Sequence, residues 1–199
     1  MKKIVVASSN PGKIKEIRTL LKGLDVELLS LEEFPEIKVA EETGSTFEEN
    51  AFIKAKSVFE QTNLLTISDD SGLEVDALNG EPGVHSARYV GENATDKENC
   101  DKLLSEIRNS KSDLTPSTRG RFKCVMCLYN GVIYQKFFEG ECEGNIILKM
   151  KGRNGFGYDP LFVPEGYNKT FAELDDETKN KISHRGKALK KLKEFLIKV

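Results

Sequence analysis

The chain is organised around one stretch, Thr66-Ile67-Ser68-Asp69-Asp70-Ser71-Gly72-Leu73. Its apolar beginning predicts a strand over residues 64–68, and the two carboxylates followed by serine and glycine predict a tight turn. Adjacent aspartates repel each other unless a proton or a cation such as Mg²⁺ lies between them. The same residues are also compatible with a solvated turn in which Asp and Ser bind backbone groups. The rest of the chain has to decide between a ligand site and an ordinary turn.

Composition and charge narrow the class of protein. The 199 residues carry a net charge of −2, and 38% of them are hydrophobic, which predicts a folded domain without a broad nucleic-acid-binding basic face. No apolar run approaches the ~18 residues of a transmembrane helix. The apolar residues 4–7 are too few for the core of a signal peptide. We therefore expect a cytoplasmic protein without a nucleic-acid or membrane partner.

The cysteines predict no metal site. Cys124 and Cys127 match the C-x-x-C pattern, which occurs in zinc sites and in redox pairs. They lie in a β-favouring run, where residues three apart point to opposite faces of a sheet. No second C-x-x-C or His pair completes a zinc set, so buried free thiols are the better interpretation.

Predicted strands and helices are interleaved along most of the chain. Strands are predicted at residues 3–7, 26–29, 73–78 and 141–148 besides 64–68, and helices over 14–21, after Thr46, after Thr95 and over 188–196. The Asn130-Gly131 pair predicts a hairpin with a type I′ turn. Residues 109–118, rich in Ser and Asp, predict a linker or mobile loop. These elements predict an α/β chain with a mixed sheet and two lobes, and not a regular doubly wound fold.

Several loops and helix ends carry groups suited to phosphates. The segment from Ser8 to Lys13 joins the first strand to the first helix, and such loops present backbone N–H groups and a helix N-terminus to an anion. It lacks the Walker A pattern, and an ordinary helix start explains it equally well. Lys54 lies beside the apolar face of its helix, where lysines commonly snorkel. Lys179 and Arg185 lie in a third polar stretch.

The glycine-rich segment 152–160 adds aromatic rings to this set. Phe156 and Tyr158 stand among glycines, and a flexible backbone can lay a ring flat against a base. The combined pattern predicts a nucleotide enzyme. Its cations suit phosphates, its aromatic rings suit a base, and Mg²⁺ could be bound by the acids Glu41, Glu42, Asp69 and Asp70.

With these motifs in place, the sequence resembles the inosine triphosphate pyrophosphatases, also called XTP/dITP diphosphatases, over nearly its whole length. Ser8-Ser9 stands where many members carry Thr-Gly or Thr-Thr. The matching blocks, in the order of the family, are residues 8–13, 41–51, 54–55, 69–73, 82–83, 86–89, 155–160 and 182–186.

This resemblance implies a fold, an activity and roles for residues. It implies one nucleoside-triphosphate pyrophosphatase domain over residues 1–199, with a long central mixed β-sheet, flanking helices, two lobes around a substrate cleft, and a homodimer. It implies hydrolysis of ITP, dITP and XTP to the monophosphate and pyrophosphate, which keeps these bases out of DNA and RNA. Asp70 is the implied proton acceptor and Mg²⁺ ligand, and Glu41 the second ligand with Glu42 as the alternative.

The same resemblance assigns the substrate contacts. The triphosphate contacts are Ser8, Ser9, Asn10, Pro11, Gly12, Lys13, Lys54 and Ser71. The base and sugar contacts are Phe156, Gly157, Tyr158, Asp159, Lys179, His184 and Arg185.

Three other classes compete with this interpretation. Asp70-Ser71-Gly72 matches the D-[ST]-G of aspartic proteases, but the adjacent second aspartate and the placed cations fit that class poorly. A haloacid-dehalogenase-type phosphatase needs D-x-D after a strand, whereas this chain has D-D. A non-catalytic nucleotide sensor would not need both Asp70 and Glu41. Incubation with ITP and Mg²⁺ distinguishes the interpretations. Pyrophosphate as the product supports the pyrophosphatase family, inorganic phosphate supports the phosphatase, and no product supports the sensor.

Overall fold

A computed structural model describes residues 2–110 and 118–198. In this part of the chain, six strands form one sheet in the order β2-β1-β3-β4-β5-β6. The strands are β1 (Lys2–Val6), β2 (Val26–Ser30), β3 (Leu65–Val75), β4 (Arg119–Tyr129), β5 (Gln135–Ile146) and β6 (Phe162–Pro164). The helices are α1 (Pro11–Leu21), α2 (Phe47–Thr62), α3 (Asp96–Asn109), α4 (Asp176–Ile182) and α5 (His184–Leu196).

The sheet is mixed, as the sequence predicts. β1 pairs in parallel with both β2 and β3, whereas β5 and β6 are antiparallel. Parallel neighbours need a crossover connection, and helices α1 and α2 supply it. The prediction of an α/β fold with a mixed sheet and flanking helices is confirmed.

The chain forms two compact units, each with its own apolar core. The first unit comprises the chain up to Asp70, Cys124–Gly140 and the chain from Arg185 onward. Its core packs β1, β3 and β4 against α1 and α5 through residues such as Ile67 and Leu189. The second unit comprises Glu141–His184 and the described part of Ser71–Lys123, and its core includes Leu103 and Phe162.

Local hydrogen bonds begin the helices where the sequence predicts them. Thr46 accepts a hydrogen bond from the backbone N–H of Glu49, and the Glu49 carboxylate accepts one from the N–H of Thr46. Thr95 and Glu98 form the same reciprocal pair at the start of α3. Such capping boxes satisfy backbone donors that the helix itself leaves unpaired.

The predicted turn after Ser68 is wrong. β3 continues without interruption from Leu65 to Val75, and nearly all of its residues are buried. The predicted separate strand over residues 73–78 is therefore the second half of β3, followed by a short 3₁₀ turn over Asp76–Leu78. Burial on both sides of the sheet favours an extended chain over the turn that Asp, Ser and Gly would otherwise form.

The hairpin after β4 is confirmed, but its loop is longer than predicted. β5 begins only at Gln135, so five residues connect the strands, and the Asn130 N–H donates to the Tyr134 carbonyl at 3.0 Å. Gly131 has a positive φ and Asn130 does not, which excludes a type I′ turn. The strand predicted over residues 141–148 is the continuation of β5 up to Ile146. Helix α4 and strand β6 were not predicted.

Two further predictions concern the cysteines and the linker. All four cysteines are buried and none is in a disulfide among the described residues, which confirms that they are buried thiols. Of the predicted linker over 109–118, residues 111–117 lie outside the described residues.

No helix in residues 2–110 and 118–198 is both long enough and apolar enough to cross a membrane.

Candidate active site

The two adjacent aspartates have different surroundings because side chains alternate along β3. Asp70 accepts a hydrogen bond from Lys54 Nζ through Oδ1 at 3.1 Å. Lys54 also donates to the Glu42 carboxylate, so its ammonium group bridges two acids. The second oxygen of Asp70, Oδ2, is buried and accepts no hydrogen bond from the residues that the structure describes. Burial raises the pKa of Asp70, an effect that Lys54 partly offsets.

Asp69 instead joins a buried ion-pair network. Its Oδ2 accepts hydrogen bonds from Nε and Nη2 of Arg185 at 3.1 and 3.0 Å, and its Oδ1 lies 3.3 Å from Lys13 Nζ. Nη1 of Arg185 donates to Glu16 at 2.7 Å. Burial alone would raise the pKa of Asp69, but Lys13 and Arg185 outweigh it and hold that pKa well below its usual range. Asp69 is therefore a fixed negative charge.

The segment before α1 delivers Lys13 to Asp69. The Asn10 side chain accepts a hydrogen bond from the N–H of Lys13 at 3.0 Å and so begins the helix, and Ser8 Oγ accepts one from the N–H of Asn10 at 3.2 Å. Lys13 keeps 16% of its side chain exposed. The segment has the capped helix start that the sequence predicts, and it presents a cation beside the acids.

In the second unit, a lysine, an aspartate and a ring come together. Lys179 Nζ donates to Asp159 Oδ2 at 2.6 Å and lies 4.8 Å from the centre of the Phe156 ring. The same carboxylate oxygen accepts the backbone N–H of Phe156 at 2.9 Å. Gly155 has φ +77°, and a Cβ there would lie 2.0 Å from Asp159 Oδ2, so this loop requires glycine.

Three predicted base contacts have buried positions that the sequence did not indicate. Tyr158 is in the core of the second unit and donates its hydroxyl to the Ser86 carbonyl at 2.9 Å. His184 stacks on Phe122 with ring centres 4.7 Å apart. Arg185 is only 1% exposed. Phe156, which is half-buried, is therefore the ring of the glycine loop best placed for stacking.

The acids fit a hard cation. Buried Asp70 Oδ2 has no hydrogen bond in the described chain, and Glu42 and Asp70 already share one cation, the Lys54 ammonium group. Mg²⁺ commonly binds one or two carboxylates and completes its shell with water and phosphate. Glu42, which the sequence ranks behind Glu41, is the residue brought to Lys54, whereas Glu41 is exposed. No group of three His, Cys, Asp or Glu residues suited to a metal occurs among the described residues.

Glu16 was not predicted as part of the site. It lies three residues after Lys13 in α1, on a neighbouring position of the same helix surface. That spacing was the available signal. Its partner Arg185 is 169 residues away, so no local spacing could predict the pairing.

The family model for the Ham1 family matches residues 4–195. The chain belongs to the Ham1 family. Two relatives of this Ham1 protein are named dITP/XTP pyrophosphatase. The one from Bacillus cereus is 48% identical over 98% of this chain and 94% of its own. The one from Bacillus subtilis is 44% identical over 98% of each chain.

Solved Ham1 structures share the fold. A HAM1 protein from Coxiella burnetii matches with a TM-score of 0.90 and 42% identity over 100% of both chains. The Ham1 protein from Staphylococcus aureus matches with a TM-score of 0.86 and 43% identity over 99% of both chains. The resemblance found from the motifs is confirmed.

Proposed function

We propose that this Ham1 family chain hydrolyses the deaminated purine nucleoside triphosphates ITP, dITP and XTP to the monophosphate and pyrophosphate. This activity removes such nucleotides before they enter DNA or RNA. One observation carries the proposal: Lys13 and Lys54 reach the adjacent carboxylates Asp69 and Asp70, and the buried Oδ2 of Asp70 has no hydrogen bond in the described chain. Cations beside acids on one strand suit a triphosphate. The names of the relatives from Bacillus cereus and Bacillus subtilis support the substrate class.

The chain's own residues hold the triphosphate by charge. Lys13 is partly exposed and at the first turn of α1, so a phosphate can replace Asp69 as its partner without moving the helix. The N-terminus of α1 favours the same anion. Lys54 adds a second cation beside Asp70. Together these groups hold the β- and γ-phosphates as the leaving pyrophosphate.

Asp70 acts as the proton acceptor. Its buried Oδ2 accepts no hydrogen bond from the described residues, so this oxygen can accept the proton of a water molecule. Mg²⁺, held by Asp70 with Glu41 or Glu42, would lower the pKa of a water molecule and neutralise phosphate oxygens. Asp70 then takes the proton of the water that attacks the α-phosphorus.

The products of ITP hydrolysis in ¹⁸O-water test this bond choice. Attack at the α-phosphorus puts the label in the monophosphate, whereas attack at the β-phosphorus labels pyrophosphate. We expect IMP and pyrophosphate, with the label in IMP, measured by mass spectrometry, and no product when EDTA replaces Mg²⁺. Label mainly in inorganic phosphate would indicate a phosphatase, and absence of product with Mg²⁺ present would indicate a nucleotide sensor.

Base discrimination is assigned to the second unit. Lysine is only a hydrogen-bond donor, so Lys179 can satisfy the 6-keto oxygen of hypoxanthine or xanthine but not the 6-amino group of adenine. Its ammonium group is held by Asp159 and lies beside the Phe156 ring, which suits a base stacked on that ring. Phe156 would stack on any purine, so it contributes affinity and not selectivity. GTP also carries the 6-keto group and is therefore rejected less strongly.

Replacing Lys179 with alanine should reduce the preference for ITP over ATP by about tenfold or more, because sites built on such a donor discriminate by hydrogen bonding. The measurement is kcat/KM for both nucleotides. Lys181→Ala is the matched control, since Lys181 is on the same helix and is exposed in a pair with Glu177. An unchanged ITP/ATP ratio in Lys179→Ala would mean that selectivity resides elsewhere. Arg185→Ala is less informative because it also removes the buried ion pairs with Asp69 and Glu16.

The homodimer and the cytoplasmic location implied by the family resemblance remain predictions.

A further inference from the structure

Helix α3 holds both polar backbone groups of Gly157. The Gly157 N–H donates to Asp96 Oδ2 at 2.7 Å, and its carbonyl accepts from the Cys100 thiol at 3.4 Å. Asp96 and Cys100 are four residues apart in α3, so they lie on one face of the helix, one turn from each other. One helix face thus contacts both of the peptide units that flank Gly157.

The held glycine directly follows the ring proposed to stack on the base. Gly157 has φ +59°, and a Cβ there would meet nothing within 4 Å. Its backbone conformation, and not lack of space, is therefore what favours glycine. The preceding N–H, that of Phe156, donates to Asp159. Two successive backbone N–H groups of the loop, those of Phe156 and Gly157, thus donate to two different carboxylates, those of Asp159 and Asp96.

We propose that Asp96 is a positioning residue for base recognition. By accepting the Gly157 N–H it holds the peptide next to Phe156, so that the ring is preorganised for a stacked base. This inference rests on the proposed function. Asp96 itself does not touch the substrate, and a preorganised loop reduces the ordering cost that binding would otherwise carry.

Asp96 also has an ordinary structural role, which the test must separate. It is an acid in the first turn of α3, where a negative charge interacts favourably with the helix dipole and stabilises the helix. Asp96→Ala removes both this charge and the acceptor oxygen. Asp96→Asn removes the charge and retains an oxygen that can accept the Gly157 N–H. A difference between the two variants therefore reports the hydrogen bond and not the helix dipole.

Amide hydrogen exchange tests the contact without reference to activity. In Asp96→Ala, exchange in the peptide covering residues 154–159 should become faster by about tenfold, as expected for loss of a hydrogen bond to a charged acceptor. Asp96→Asn should restore most of the protection. Asp101→Ala, which removes another α3 carboxylate, one that pairs with Lys97, should leave this peptide unchanged. Unchanged exchange in Asp96→Ala overturns the inference.

Kinetics test the consequence for the base. With ITP, Asp96→Ala should raise KM by about tenfold and leave kcat within about twofold, and Asp96→Asn should recover the KM. Inhibition by inorganic tripolyphosphate, which has no base, should be unchanged in every variant. If the wild-type protein turns over ITP and Asp96→Ala retains its KM, the inference fails and the proposed function stands. If the wild-type protein releases no pyrophosphate from ITP, the proposed function fails. Hydrogen exchange then still tests the contact between Asp96 and Gly157.

Discussion

Asp70→Asn should reduce kcat for ITP by at least ~10²–10⁴-fold, the usual cost of removing a general base. The substitution keeps the size of the side chain but removes the charge that pairs with Lys54 and the oxygen left without a hydrogen bond in the described chain. The measurement is steady-state pyrophosphate release at saturating ITP and Mg²⁺. A variant that retains most of its kcat would exclude Asp70 as the proton acceptor.

The loss of activity in Asp70→Asn should not come from unfolding. Because the folded-state pKa of Asp70 is raised by burial, the ionised carboxylate is disfavoured in the folded chain relative to the unfolded chain at neutral pH. Asparagine removes that cost, although Lys54 loses one of its two acidic partners and keeps Glu42. We therefore expect a melting temperature close to that of the wild-type protein, which separates a catalytic from a structural defect.

What the sequence predicted well depends on neighbouring residues. The starts of α2 and α3 follow from Thr46 and Thr95, each bonded to an acid three residues later. Such motifs need only local geometry. The mixed sheet followed from the interleaved strands and helices, and the family from short blocks of residues that keep their order. These are the parts of the fold and site that a single sequence determines.

What the sequence missed depends on distant partners. Asp, Ser and Gly favour a turn locally, yet burial keeps β3 extended through Asp70, so tertiary packing overrides the local preference. The same extension gives Asp69 and Asp70 different environments, which adjacency alone could not predict. Arg185 meets Glu16 and Asp69 across 169 and 116 residues. Tyr158 and Phe156 are both aromatic residues of the glycine loop and are equivalent candidates for stacking in the sequence. Only the structure shows that Tyr158 is buried.

Asp69→Asn should have its largest effect on stability. Asp69 is fully buried and pairs with both Lys13 and Arg185, so the asparagine variant breaks two ion pairs and leaves Glu16 as the acidic partner of the buried Arg185. Breaking such a pair costs about 3–5 kcal/mol, which for a chain of this size lowers the melting temperature by roughly 6–20 °C. Asp76→Asn is the matched control, because its pair with Arg121 is partly exposed and such pairs contribute only ~0–1 kcal/mol.

The pH dependence of unfolding gives a second, independent test of Asp69. Its folded-state pKa is well below its usual range, so the folded chain holds the ionised form more strongly than the unfolded chain does. That stabilisation is complete above the unfolded pKa of about 3.9, and it is lost as pH falls through the folded pKa. Below about pH 4, the free energy of unfolding should therefore fall more steeply with decreasing pH in the wild-type protein than in Asp69→Asn. Denaturant unfolding at a series of pH values measures both slopes. Equal slopes, together with a melting temperature unchanged by the substitution, would show that Asp69 is not the fixed charge that holds Lys13 and Arg185.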